Sequence, residues 1–219
     1  MKNIFTLLLF VGFLFSCSSQ KNITHTQLQN GDLIFVEAKQ ENLSGAINRV
    51  TQKSKIENFD HVGMIEITSH GIFVLHASTK LGSNKQLLED FYTENLKSHQ
   101  DMVVYRLKKD YQNSIQSAII KANSMLGEPY NWSYVLNEES YYCSDFIERA
   151  FREDTIFEHI PMNFKNPETR QIDDFWVQFY KKLEMDVPQD QPGTNPNQLA
   201  SSDKLIKIGV LKVLKLSKY

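Results

Sequence analysis

The chain has 219 residues, with 24 basic and 26 acidic side chains and a formal net charge of −2. That near balance, without a basic block or an Arg-rich stripe, argues against nucleic acid as a partner and leaves no polybasic face for a membrane. The residues beyond the N-terminal leader suffice for one domain with a sizeable core.

The chain opens with "MKNIFTLLLFVGFLFSC": Lys2, then an apolar run from Ile4 to Phe15 broken by Thr6 and Gly12. The run is too short for a comfortable membrane span and suits the hydrophobic part of a signal peptide. It ends in "LFSC", which resembles the lipobox of bacterial lipoproteins. That resemblance implies a lipid on Cys17 and membrane attachment through it. The protein is then expected in the bacterial cell envelope, facing the periplasm. An ordinary secretory signal or an uncleaved anchor is the alternative. The expected organisation is residues 1–16 as signal peptide, 17–30 as lipidated N-terminus and polar tether, and 31–219 as the folded domain.

Beyond the tether, "GDLIFVEA" (31–38) follows a turn pair with an apolar strand. In "NLSGAINRVTQ", Leu43, Ala46, Ile47 and Val50 have the spacing of a short amphipathic helix. "DHVGMIEI" and "GIFVLHAS" are strand candidates joined by "TSHG", a hairpin connection in which Gly71 can take a positive φ. "DFYTENL" suits a short helix and "MVVYRL" a further strand. Ile115, Ala118, Ile119, Ala122 and Leu126 form a helical stripe that Gly127 can cap. Cys143, Phe146, Ile147, Ala150 and Phe151 repeat that stripe, with Asp145, Glu148, Arg149 and Arg152 off it and Ser140 as the expected N-cap. A loop-rich stretch, "MDVPQDQPGTNPNQLASS", precedes a last strand-like run, "KLIKIGVLKVL". Together these elements predict one α+β domain.

The chemistry gathers around Cys143. With Cys17 lipidated, Cys143 has no partner for an intramolecular disulfide, and a lone exported cysteine is either a reactive thiol, a site of intermolecular pairing or a buried inert residue. A helix N-terminus and a nearby imidazolium both lower a thiol pKa. Among six histidines, His25 lies in the tether, and His70 and His99 lie in solvated loops. His61 and His76 fall inside strand patterns.

Strand parity connects those two. His61 shares a face with Gly63, Ile65 and Ile67, while Glu66 points to the other. A hairpin about "TSHG" pairs Ile67 with Ile72 and Ile65 with Val74, which brings Gly63 opposite His76. His76 then lies on the face of His61, offset by ~7 Å, with Gly63 leaving room between them. A slip of one residue would reverse this. In that register His61 is a candidate base and His76 its orienter; a satisfied core pair is the competing reading. Cys143, His61 and His76 also supply the ligand types of a Cys-His₂ zinc centre, but no close-spaced ligand motif accompanies them. No metal or other cofactor is assigned.

"NGDLIF", "FDHVGMIEI", "VLHAS" and "GEPYNWSYVLNEESYYCSDFIERAF", in this order, resemble the permuted papain-like amidases of the YiiX/YebB type. These are relatives of NlpC-type cell-wall peptidases and of the lecithin:retinol acyltransferase group. The histidine strand precedes the cysteine helix, which is the mark of the circularly permuted branch. The resemblance implies a permuted papain-like (NlpC-type) fold, with an antiparallel sheet packed against the helix that carries the cysteine. It implies Cys143 as nucleophile, His61 as general base and, at the third polar position, His76. A glutamate is frequent there in the YiiX-type branch, and histidine in the acyltransferase relatives. Tyr130 and Tyr142 become candidates to line the site. The implied reaction is hydrolysis of an amide, in a cell-wall peptide or a lipid-linked amino acid, through a thioester. A non-catalytic peptide- or lipid-binding lipoprotein on the same scaffold is the alternative.

Overall fold

The structure is a computed structural model that describes residues 21–52 and 58–213. The segment expected as signal peptide, Cys17 and the last residues of the C-terminal run lie outside them. The described residues form nine strands and six α-helices in chain order, beginning with β1 (Asn22–Thr24), β2 (Leu33–Glu37) and α1 (Asn42–Thr51). Next come β3 (Phe59–Thr68), β4 (Gly71–Ser78), β5 (Gly82–Leu87), α2 (Leu88–Lys97), β6 (Met102–Leu107), α3 (Ile115–Ser124) and α4 (Cys143–Phe151). The chain ends with β7 (Ile160–Pro161), α5 (Asp174–Lys182), β8 (Pro192–Gly193), α6 (Pro196–Ala200) and β9 (Leu205–Lys212).

Seven strands form one sheet in the order β1-β9-β6-β2-β3-β4-β5. All its pairings are antiparallel except β1 with β9, which is parallel. Strand alternation sorts the apolar side chains onto two faces. Phe35, Val62, Met64, Leu75, Val103 and Tyr105 pack under α3 and α4, with Ala118, Phe146 and Ile147 closing the layer. Ile34, Val36, Ile65, Val74 and Val104 face the other way, against Leu88 and Phe91 of α2. Because β2 is covered on both faces, its sequence is a continuous apolar run, LIFV, with no alternation. A third, aromatic cluster joins Tyr134, Tyr142, Phe164, Trp176 and Tyr180 beside α1 and α5.

Part of the expected tether is folded. Asn22–Thr24 pair with Val210–Lys212, and Ile23 is fully buried. Its isolated apolar side chain in a polar stretch carries no periodic signal, and it is recruited by the edge of β9. On α4 the polar residues off the stripe are also covered: Asp145, Glu148 and Arg149 are buried. The Arg149 guanidinium donates to Asp145 (2.8 Å), to Glu138 (2.7 Å) and to the carbonyl of Asn137 (2.6 Å). Burial of these charges is tolerated because each is paired.

The hairpin of β3 and β4 has the register that parity implies: Ile67 opposite Ile72 and Ile65 opposite Val74. A Cβ at Gly63 would stand 2.4 Å from Cγ1 of Val74 and 3.2 Å from Cβ of His76. Gly63→Ala is therefore expected to destabilise the fold by about 1–3 kcal/mol through overpacking, measured by urea unfolding. A stability equal to wild type would show that β4 yields freely at this point.

Candidate active site

Cys143 is the first residue of α4, and its N-cap is Tyr142 in extended conformation, without a side-chain capping bond. Ser140, expected to cap, instead bonds Asn137 within the preceding turn (3.1 Å). The first N–H groups of the helix are thus not consumed by a cap. Those of Cys143 and Ser144, with that of Val62, lie where they favour the thiolate. Sγ lies 3.9 Å from the carbonyl oxygen of Asp60, the residue before His61.

A β-bulge shapes that contact. Val36 is opposite His61 while Glu37 is opposite Phe59, so Asp60 is the extra residue. Phe59 and Val62 both pack on the α4 side, and the imidazole of His61 projects toward α2. There Nε2 of His61 lies 2.8 Å from Nδ1 of His76, with the rings edge-to-face at 5.1 Å between centroids. Phe91 closes over both rings, at 6.0 Å from His61 and 5.1 Å from His76.

The structure thus brings His61 and His76 into direct contact and sets Cys143 against the backbone next to His61. A cleft of about 350 Å³ opens over the histidines, with Gln86, Glu94 and Lys80 on its walls. A smaller cavity of about 40 Å³ lies beside Sγ, lined by Tyr134, Tyr142, Met162 and Trp176 among others. Ile47, Asp60 and Tyr130 line both and form the partition between them. Tyr142 lines only the smaller one, and its hydroxyl accepts from the Thr194 N–H (3.1 Å). The Thr194 hydroxyl bonds Ser144 (3.0 Å), which ties the "PGTNPN" loop to the start of α4.

Several of these residues were not evident in the sequence. Asp60 sits in a strand pattern that gives no hint of a bulge. Gln86 belongs to β5, whose sequence GSNKQL lacks apolar alternation. Glu94 reads as an ordinary solvated helix residue, and Thr194 as loop.

Charge at the site departs from the sequence expectation of a lowered thiol pKa. Burial, with Asp60 adding to it, pushes the Cys143 thiol up to about 12 against the backbone N–H groups that favour the thiolate. Burial, reinforced by His76, pushes His61 down to about 3. Burial likewise lowers His76 to about 4, although Gln86, Asn84 and Glu94 act in the opposite direction. The resting site holds a neutral thiol and neutral imidazoles. Burial raises the Asp60 carboxyl to about 6.

A permuted papain-like architecture with a cysteine at the head of a helix, set against a histidine strand, defines the class. The chain belongs to the permuted papain-like amidase enzymes of the YaeF/YiiX type, the C92 family, whose model matches residues 27–209. In fold it is similar to the crystal structure of the metalloprotein yiiX from Escherichia coli O157:H7. The TM-score is 0.66 and the identity 21%, over 84% of this chain and 97% of that one. No curated protein matches the chain. Among the described residues here, no group of three or more His, Cys, Asp or Glu side chains is placed to hold a metal ion.

The shifts fix the sign of a pH test. A histidine whose folded pKa is below its unfolded value of 6.5 stabilises the fold above that value, and loses this as pH falls toward the folded pKa. Asp60, raised from 3.8 to about 6, stabilises at low pH and loses this as pH rises through that window. Asp60→Asn should therefore make Tm climb more steeply between about pH 4 and 6 than in wild type. His76→Gln should make it climb less steeply. Thermal melts across the window check both, and equal slopes in all three proteins would contradict both the neutral His76 and the raised Asp60 carboxyl.

Proposed function

We propose that this chain is an exported, lipid-anchored cysteine hydrolase that cleaves an amide bond, with Cys143 as nucleophile, His61 as base and His76 as orienter. The observation that carries it is the division of labour at His61. Its Nε2 is occupied by His76, while Sγ of Cys143 rests on the carbonyl of the preceding residue. We assign Nδ1 of His61, the ring nitrogen His76 leaves free, to take the thiol proton as sulfur attacks the substrate carbonyl and to return it to the departing amine; thiol and ring line neighbouring cavities at rest and must meet for that step. Water then releases the acyl group from the thioester. The uncapped N–H of Cys143 suits the oxyanion, a donor worth ~3 kcal/mol of barrier. Since thiol and imidazole rest neutral, proton transfer accompanies attack rather than preceding it.

The cleft over the histidines is mixed in polarity and suits a peptide-like chain or an amide-linked lipid head group. A cell-wall peptide or a lipid-linked amino acid fits this reading. The burial of the thiol favours one rival, a non-catalytic module that binds such molecules. A panel of peptidoglycan fragments and N-acyl amino acids separates the two. Wild type should release amine and Cys143→Ala should be slower by about a thousandfold or more. Binding without turnover, equal in both proteins, would leave only the module.

The proposed anchor is Cys17, with the mature protein in the bacterial cell envelope on the periplasmic side. The several chains of a bacterial lipoprotein hold a membrane stably, whereas a single chain does so marginally. Metabolic labelling with a fatty-acid analogue should mark wild type and leave Cys17→Ser unmarked. Label that persists in the variant would refute the anchor and leave the hydrolase proposal standing.

A further inference from the structure

Beyond the two histidines the hydrogen-bonded chain continues. Gln86 stands opposite Val74, two positions from Asn84, which is opposite His76, so its side chain shares the His76 face. Nε2 of His76 lies 3.2 Å from Oε1 of Gln86, and Nε2 of Gln86 donates to Oε2 of Glu94 at 3.0 Å. Glu94 is exposed on α2, and a solvated carboxylate at neutral pH only accepts hydrogen bonds. The amide nitrogen of Gln86 must therefore face Glu94 and its oxygen must face His76. With the amide reversed, two oxygens would face each other across a hydrogen-bond distance.

From this orientation each proton follows. His76 carries hydrogen on Nε2, to donate to Gln86. A neutral imidazole has one N–H, so Nδ1 of His76 is a lone pair, and it lies 2.8 Å from Nε2 of His61. His61 must then donate from Nε2, which leaves its Nδ1 bare.

We infer that Gln86 and Glu94 are positioning residues: the Glu94 carboxylate orients the Gln86 amide, which fixes the tautomers of His76 and His61 so that Nδ1 of His61 is the proton acceptor. The inference deepens the hydrolase reading and rests on it. His76 is buried and His61 half-buried, and both are held well below the ordinary imidazole range, so each ring is neutral, as the one-proton argument requires. Asn84 acts in the same sense: its amide nitrogen is bonded to the Gly82 carbonyl (2.8 Å) and to Ser78 (3.3 Å), so only its oxygen is left toward His76, and an acceptor there favours the same Nε2–H form.

The test reverses the polarity of the chain from its exposed end. In Glu94→Lys an ammonium can only donate, so the Gln86 amide turns. Nε2 of His76 must then accept, and both rings shift to the Nδ1–H form. Long-range proton–nitrogen NMR on histidine-labelled full-length protein, assigned with His61→Gln and His76→Gln, reads the tautomers directly. Wild type should show Nε2–H on both rings and Glu94→Lys should show Nδ1–H. Alkylation of Cys143 by iodoacetamide near pH 7 should fall on the order of tenfold in Glu94→Lys. Glu94→Asp should restore both signals. Rings that stay Nε2–H in Glu94→Lys, or begin as Nδ1–H in wild type, overturn the inference. Rings that switch while alkylation ignores both Glu94→Lys and His61→Gln support the tautomer chain and overturn the hydrolase reading beneath it.

Discussion

The approach of β3 to β4 at Gly63 is the constraint on which the site depends. With no side chain at 63, Val74 and His76 close over that position, and the His61 ring reaches His76 across it. The same register places Val62, Met64, Leu75 and Ala77 under α4 and Ile65 and Val74 toward α2. A slip of one residue would exchange the two faces, burying an imidazole under α4 and sending Leu75 to the cleft. Core packing and imidazole contact therefore share one register, and neither can be altered alone.

The bulge at Asp60 solves a problem that this arrangement creates. Cys143 belongs to the α4 face of the sheet, and His61 to the α2 face. Through regular strand these would be separated by the sheet itself. An extra residue at the start of β3 bends the strand and strengthens its local twist. Here it brings the backbone before His61 against Sγ. It also leaves Asp60 in the partition between the two cavities, where desolvation acts on carboxyl and thiol together. At neutral pH the thiol and the imidazoles rest uncharged, and Asp60, raised only to about 6, is the charged group of this corner and opposes a thiolate beside it.

What the sequence disclosed follows the same physics. The strands of the hairpin alternate, so Ile67, Ile65 and Gly63 could be matched to their partners from parity alone. The stripe of α4 placed Cys143 at its head. The bulge was invisible because its extra residue is a polar one in an otherwise regular pattern. β5 was missed because an edge strand with one half-solvated face needs no apolar alternation, and with it went Gln86. The thiol was expected to be acidic from its helix position, but desolvation depends on Ile47, Asp60, Met162 and Trp176 arriving from distant parts of the chain. Helix position is local information, and burial is not.

The folding of residues 22–30 also bears on the proposed anchor. The sheet holds the chain from Lys21 onward, with the Val210 N–H on the Lys21 carbonyl (2.8 Å) and β1 paired to β9, so it begins four residues after Cys17, a reach of at most ~14 Å. In the sheet order, β1 is four strand spacings from β3 and five from β4, or ~19 and ~24 Å. A lipid on Cys17 would then hold the histidine cleft within ~40 Å of the bilayer surface. A long tether would let a lipidated domain search the envelope, whereas a reach of four residues would not. The substrate of a lipidated form must bring its amide to the membrane-proximal zone, as a lipid-linked amino acid does by its own attachment. A cell-wall peptide meets the same condition only where the wall approaches the membrane. The short link therefore weighs toward substrates that are themselves held at the surface.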